Sequence, residues 1–141
     1  MPIIEGIVEH GDARGRELGF PTANIALSDR AELDGVWCGT VQLADGRQLV
    51  TTVSIGRRST FYGTQGQCLL EAYLLDFSGN LYGQKLTVHL QYFLRGQVTY
   101  ESAEELIDQL YQDVEFTRRW AAVEGLAHSL PRRESLRVPS R

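Results

Sequence analysis

The sequence predicts a mainly β fold, an antiparallel barrel or sandwich followed by one C-terminal helix. Three observations carry this expectation. Apolar runs of strand length, rich in β-branched residues, recur up to Leu94. Turn signals separate them: Asp45-Gly46, Tyr62-Gly63 to Gly66, and Ser78-Gly79-Asn80. One long helical pattern comes after the last run. Many short strands with regular turns are the mark of antiparallel barrels and sandwiches.

The elements follow in order. Glu5 to Glu9 is short and apolar. Next comes His10-Gly11-Asp12-Ala13-Arg14-Gly15-Arg16-Glu17-Leu18, a glycine- and arginine-rich loop, and then Gly19-Phe20-Pro21-Thr22-Ala23-Asn24. Pro21 fixes its own φ and pushes Phe20 towards an extended conformation. Gly35 to Leu43 carries Val36, Trp37, Cys38, Thr40, Val41 and Leu43. Gln48 to Ile55 is rich in Val and Thr. Gln67 to Phe77 is apolar with Glu71 inside it. Lys85 to Leu94 alternates Leu86, Val88 and Leu90 with Thr87, His89 and Gln91. The Ser78-Gly79-Asn80 turn predicts that 67–77 and 85–94 pair as a hairpin. Ser102 and Glu105 form a capping box. Ala103, Leu106, Ile107, Leu110, Val114, Thr117 and Ala121 then keep one helical face, with Glu104, Asp108, Gln112 and Arg119 opposite. The helix is therefore expected against the outside or mouth of the β structure. Beyond Leu126 the periodicity ends. Pro131, Pro139 and four arginines from Arg132 to Arg141 read as a mobile basic tail. The expected organisation is one domain over 1–126 and a tail over 127–141.

Composition narrows the function classes. The chain has 141 residues, 43% hydrophobic and 23% charged, in the ordinary range for a soluble globular domain. A net charge of −4 gives no footing for a general nucleic-acid or membrane-surface binder. Cys38 and Cys68 lack a metal spacing and sit in apolar runs, so buried free thiols are expected. No signal peptide or membrane span is visible, which makes a reducing, cytoplasmic location the default expectation.

Chemistry gathers at two places. In extended chain, residues i and i+2 share a face, so Thr22 and Asn24 present a hydroxyl and an amide oxygen side by side. Two neutral hard oxygens suit Mg²⁺ when a substrate supplies the negative charge. Gly11, Gly15 and Gly19 allow close approach to a ligand, and Arg14 and Arg16 suit phosphate oxygens. A tight turn into a polar strand is the plain alternative. The second place is Glu71, set in Leu69-Leu70-Glu71-Ala72-Tyr73-Leu74-Leu75. A carboxylate among apolar neighbours is costly, and such groups concentrate at functional sites. A solvent-facing strand glutamate fits the same pattern. The chain has neither G-x-x-x-x-G-K-[ST] nor Asp-Phe-Gly, so it is neither a P-loop nor a protein-kinase-type enzyme.

These segments together resemble the riboflavin kinase family, enzymes that phosphorylate riboflavin with ATP and Mg²⁺. The blocks that carry the resemblance run in order: residues 10–24, the Val53-Ser54-Ile55-Gly56 loop, Glu71-Ala72-Tyr73-Leu74-Leu75-Asp76-Phe77 with Leu81-Tyr82-Gly83, and Phe93-Leu94-Arg95 before the helix. The resemblance implies a six-stranded antiparallel Greek-key β-barrel with one C-terminal helix. It implies transfer of the ATP γ-phosphate to the ribityl 5′-hydroxyl, giving FMN and ADP, with Glu71 as catalytic base. It implies that Thr22 and Asn24 hold Mg²⁺, and that Gly11, Arg14, Gly15, Arg16 and Tyr82 join them around ATP. Arg95 stands where the family keeps an arginine near the flavin, though a plain strand-end arginine fits too. Tyr82 fits a ring-stacking or a core role equally. His10 is a lone loop histidine, and Asp76 reads as a strand-end cap. The sequence departs from the family at Ser59, where a proline is usual, and at Ala72 and Tyr73. Many bacterial relatives carry an adenylyltransferase domain that makes FAD. The expectation for this chain is FMN alone, whether it stands by itself or belongs to a larger FAD synthetase chain. A non-catalytic flavin- or nucleotide-binding barrel is the alternative.

Overall fold

A computed structural model describes residues 1–9, 19–28, 30–57 and 68–126. Six strands form one antiparallel sheet: β1 (Ile3–Ile7), β2 (Ala23–Ala26), β3 (Gly35–Gln42), β4 (Gln48–Arg57), β5 (Cys68–Leu74) and β6 (Lys85–Arg95). Their order is β1-β6-β3-β4-β5-β2. Glu9, just past β1, bridges antiparallel to Asn24 on β2, so the two edge strands meet and the sheet curls into a nearly closed barrel. β3, β4 and β5 form a meander and β6 returns beside β3, the spatial order of a Greek key. A short 3₁₀ turn, Ala31–Leu33, precedes β3, and helix α1 (Ala103–Val123) follows β6.

Period-2 alternation builds the barrel. Ile4, Val8, Ile25, Val41, Leu43, Leu49, Val53, Ile55, Leu70, Leu74, Leu86, Val88 and Leu90 fill its interior. Each such side chain contributes about 1.5–3 kcal/mol by leaving water. The expected hairpin between 67–77 and 85–94 does not form. Both edges of β5 are taken, by β4 and β2, and β6 pairs with β1 and β3. The segment after β5 instead crosses the barrel end, with Asp76 at φ 57° and Gly79 at φ 142° redirecting the chain. Val53 to Gly56, a loop by the family resemblance, lies within β4, in line with the strand expected over Gln48 to Ile55.

Two bulges bend β6 where it pairs with β3. At one, His89 O occupies the space that a Cβ on Gly39 would need, so glycine is required there. At the other, Leu94 is the extra residue: Phe93 opposes Trp37 and Arg95 opposes Val36. Strict alternation from Phe93 would have turned Arg95 inward. The bulge turns it outward.

Helix α1 packs on the outer face of β3 and β4. Ser102 Oγ caps it by accepting from Glu105 N at 3.1 Å, and Glu105 Oε1 accepts from Glu101 N at 3.0 Å. The polar face lies as expected, with Glu104, Asp108, Gln112 and Arg119 exposed. The buried stripe is shifted from expectation. Asp113, Thr117 and Ala121 are buried, while Ala103 is exposed and Leu106, Ile107, Leu110 and Val114 are half-buried. The helix meets the barrel through an apolar cluster, in which Ala121 packs with Val50 and Leu75, and through polar contacts. Thr117 Oγ1 accepts from Thr52 Oγ1 at 2.8 Å, donates to Asp113 O at 2.8 Å, and lies 3.4 Å from Cys38 Sγ. Both cysteines are buried and free. Among the described residues no helix is long and apolar enough to cross a membrane. The basic tail at 127–141 lies outside the described residues, as does Ser59.

Candidate active site

The site is assembled on the outer face of the barrel, where β2, β5 and β4 run side by side. Asn24 pairs with Glu71, and Glu71 pairs with Ser54. Directly opposed residues share a face, so the three side chains form one row across three strands. Ala23 and Ile25 on β2, and Leu70 and Ala72 on β5, point into the core instead. Glu71 is half-buried and its apolar sequence neighbours face the other way. The expectation of a carboxylate embedded among apolar side chains is therefore corrected: alternation sets it on the polar, outward face.

Thr22 and Asn24 come together as the i, i+2 spacing requires. Thr22 Oγ1 donates to Asn24 Oδ1 at 2.9 Å. An octahedral ion with ligands at about 2.0–2.1 Å sets neighbouring oxygens roughly 2.9 Å apart. The pair thus has the spacing of two adjacent ligands of such an ion. Among the described residues no group of three or more His, Cys, Asp or Glu gathers to hold a metal. A site of neutral oxygens suits an ion whose counter-charge comes with the ligand. Gly19, at φ 89°, turns the chain into this segment. Phe20 anchors it. Phe20 is buried, 5.4 Å from the Tyr73 ring and edge-on to Tyr111 of α1 at 5.0 Å. Tyr73, one of the departures from the family pattern, has a clear role as the platform for Phe20.

A cleft of about 440 Å³ opens beside this row, lined by Asp34, Ser54, Gly56, Arg57, Leu69, Glu71 and Gln97. Five of these seven residues, Asp34, Ser54, Arg57, Glu71 and Gln97, carry polar side chains. Asp34, Arg57 and Gln97 were not singled out by sequence reasoning, and Ser54 was quoted there without a role. Gln97 follows the last strand in a stretch with no periodicity, and nothing in the sequence ties it to β4.

Arg95 stands at the far end of the same outer row. Its Nε and Nη2 donate to Asp113 at 3.0 and 2.7 Å, and Nη1 donates to Gly96 O at 3.0 Å. Gln109 Nε2 also donates to Asp113, at 2.9 Å. Hydrogen bonding to Asp113 raises the pKa of Arg95 against the opposing effect of burial. Asp113 was missed because the expected helical face counted only apolar positions and Thr117. Asp76 joins Arg118 of α1 through two bonds of 2.9 Å, beyond the strand end where a cap was expected. Tyr82 is 52% exposed in the β5–β6 connection and is not part of the cleft wall. Gly11, Arg14, Gly15, Arg16 and His10 lie outside the described residues. His89 is half-buried opposite Thr40 and Ile3.

Comparison with known proteins fits this geometry. The family model described as flavokinase, riboflavin kinase, matches residues 2–121. A bifunctional riboflavin kinase/FMN adenylyltransferase of Haemophilus influenzae is 38% identical over 79% of this chain, which spans 36% of that protein. The crystal structure of riboflavin kinase from Trypanosoma brucei aligns with a TM-score of 0.60 at 26% identity, covering 98% of this chain and 93% of that one. A structure titled macrolide-efflux protein, from Streptococcus pneumoniae, aligns with a TM-score of 0.72 at 34% identity, over 84% of this chain and 38% of that one. The matched segment takes in all six strands and all but the last two residues of α1, so the chain belongs to the riboflavin kinase family.

Proposed function

We propose that this chain is a riboflavin kinase, transferring the ATP γ-phosphate to the ribityl 5′-hydroxyl to give FMN and ADP. The observation that carries this reading is that Asn24 and Glu71, the residues we assign as ion ligand and base, lie opposite each other on adjacent strands beside the cleft. Family membership supports it. The 5′-oxygen attacks the γ-phosphorus, the bond to the β–γ bridging oxygen breaks, and Glu71 takes the hydroxyl proton as the new P–O bond forms. Thr22 Oγ1 and Asn24 Oδ1 would hold a divalent ion, assigned as Mg²⁺, which would supply positive charge to the phosphates. Neutral ligands leave that charge to the phosphates and leave Glu71 available as base. The Gly11–Gly19 loop, through Gly11, Arg14, Gly15 and Arg16, cradles the phosphates, and Tyr82 contacts the nucleotide. Arg95, tied to Asp113 and Gly96, is assigned to the riboflavin side of the site. A cytoplasmic location suits the two free thiols. The relatives' names pair this activity with an adenylyltransferase; the kinase assignment concerns only the third of their length that this chain matches.

The test is direct. Incubate the purified chain with riboflavin, ATP and Mg²⁺ and follow FMN and FAD by chromatography. FMN is expected only when all three are present. Riboflavin binding without FMN formation would favour a non-catalytic flavin-binding barrel.

A further inference from the structure

Gln97 lines the cleft from the segment after β6, and its side chain is tied to β4 through its nitrogen. Nε2 lies 2.9 Å from Ile55 O and 2.9 Å from Ser54 Oγ. A carbonyl oxygen only accepts, so the nitrogen end of the Gln97 amide must face it. Both amide hydrogens are then committed, one to Ile55 and one to Ser54. The amide is planar, so with its nitrogen held on the strand its oxygen is turned away from it. Oε1 makes no hydrogen bond to a described residue. Gly56 lets the group lie low. A Cβ there would stand 3.3 Å from Gln97 Nε2 and 3.7 Å from its Cδ. Gln97 is exposed, so a ligand in the cleft can reach the oxygen. An amide oxygen held in this way only accepts, and it selects a donor on the ligand.

The position of Glu71 says which donor. Ser54 accepts from Gln97 and stands opposite Glu71 in the β4–β5 ladder, and all three residues line the cleft. Opposed residues in such a ladder have Cβ atoms about 4.5–5.5 Å apart. Glu71 and the Gln97 amide are thus separated along one wall by a single serine. With the ribityl 5′-oxygen at Glu71, the next groups along that wall are the secondary hydroxyls on the 4′, 3′ and 2′ carbons. We propose that Gln97 is a specificity-determining residue for the acceptor substrate: its Oε1 accepts a hydrogen bond from a secondary hydroxyl of the ribityl chain, and its two bonds to β4 hold that oxygen in place. The proposal rests on riboflavin as the substrate, with Glu71 at its 5′-oxygen. A flavin lacking that hydroxyl leaves the amide oxygen unpaired, and a site built to bond a hydroxyl discriminates against the analogue without it.

The test is equilibrium binding to the full chain, followed by flavin fluorescence with MgADP present so that no phosphate is transferred. Riboflavin is compared with its 2′-, 3′- and 4′-deoxy analogues and with 3-methylriboflavin. Each is measured on the parent and on Gln97→Met, which keeps the length of the side chain and removes the oxygen. The parent is expected to bind one deoxy analogue about three- to tenfold more weakly than riboflavin, the worth of one neutral hydrogen bond. Gln97→Met should bind that analogue and riboflavin equally, and Gln97→Ala should do the same. An equal loss of affinity for every flavin in both variants marks a purely structural glutamine and overturns the proposal. A preference that Gln97→Met abolishes only against 3-methylriboflavin also overturns it, because the oxygen would then meet the ring N–H. If the parent makes FMN and Gln97→Met leaves its preferences unchanged, the proposal fails and the kinase reading stands. If the preference is lost with Gln97 but the parent makes no FMN, the contact stands and the kinase reading fails.

Discussion

At the scale of single residues, Glu71→Gln keeps the shape of the side chain and removes its basicity. We expect kcat to fall roughly 10²- to 10⁴-fold, the usual worth of a general base. The melting temperature should hold, because the carboxylate sits on the outer face and not in the core. Turnover within a few-fold of the parent would make Glu71 an ordinary strand residue. Thr22→Ala and Asn24→Ala should each weaken Mg²⁺-dependent ATP binding, by about 10- to 100-fold if they remove an ion ligand. Equilibrium binding with and without Mg²⁺ checks this. Asn24 is 5% exposed, so its variant should also lose stability, which Thr22→Ala should not. The thiols supply a pH test. Burial pushes the Cys38 thiol above its ordinary value, despite its contact with Thr117. A raised value in the folded state favours the neutral thiol. That contribution to stability is full below the unfolded thiol value, about 8.5, and is lost as pH rises through the folded value. Thiol reagents should label native Cys38 and Cys68 slowly at neutral pH and quickly in denaturant. Much of this scale was legible. Two-residue spacing told that Thr22 and Asn24 share a face, whereas the face of Glu71 stayed open until the pairing with Asn24 and Ser54 set it outward. Gln97 was not legible, because its role comes from bonds to Ser54 and Ile55 on a strand some forty positions earlier.

At the scale of elements, the strand end of β6 and the middle of α1 are joined by Arg95 and Asp113. Asp113 is 4% exposed and Arg95 21%. Removing one partner leaves a buried charge alone, so Asp113→Ala should destabilise the fold by about 3 kcal/mol. Denaturant melts check this, and the double variant with Arg95→Ala should lose less than the sum of the two single changes. Phe20→Ala should cost about 3–5 kcal/mol as a buried aromatic truncation. It should also loosen MgATP binding, because Phe20 ties the Thr22–Asn24 segment to Tyr73 and Tyr111. The capping box was legible from Ser102 and Glu105 because capping is local. The docking face of α1 was misphased because its centre is an aspartate that only a partner on β6 makes affordable. The outward turn of Arg95 depends on the bulge at Leu94, and a bulge breaks the two-residue rhythm without leaving a mark in composition. The hairpin failed for a different reason. A turn signal reports that the chain changes direction and says nothing of which strand it then joins.

At the scale of the whole molecule, the Greek key follows from pairings that span most of the chain, and alternation alone left barrel and sandwich open. The family resemblance implied the barrel, and the β1-β6-β3-β4-β5-β2 order bears it out. Residues 1–141 made by themselves should convert riboflavin to FMN, and chromatography of the products should show no FAD. Accumulation of FAD from the pure chain would place a second active site within these residues. The seam of the barrel carries one more consequence. β1 and β2 are joined past their ends by the amide of Glu9 donating to Asn24 O at 2.8 Å. The residue whose backbone fastens the two edges is the one whose carboxamide we assign to the ion. A nucleotide held there acts as a clasp on the seam. The Glu9 amide becomes its reporter: hydrogen exchange at that one position should slow about 100-fold at a ligand concentration a hundred times Kd, if opening the seam releases the ligand. Substrate occupancy would then be readable from how tightly the barrel is shut.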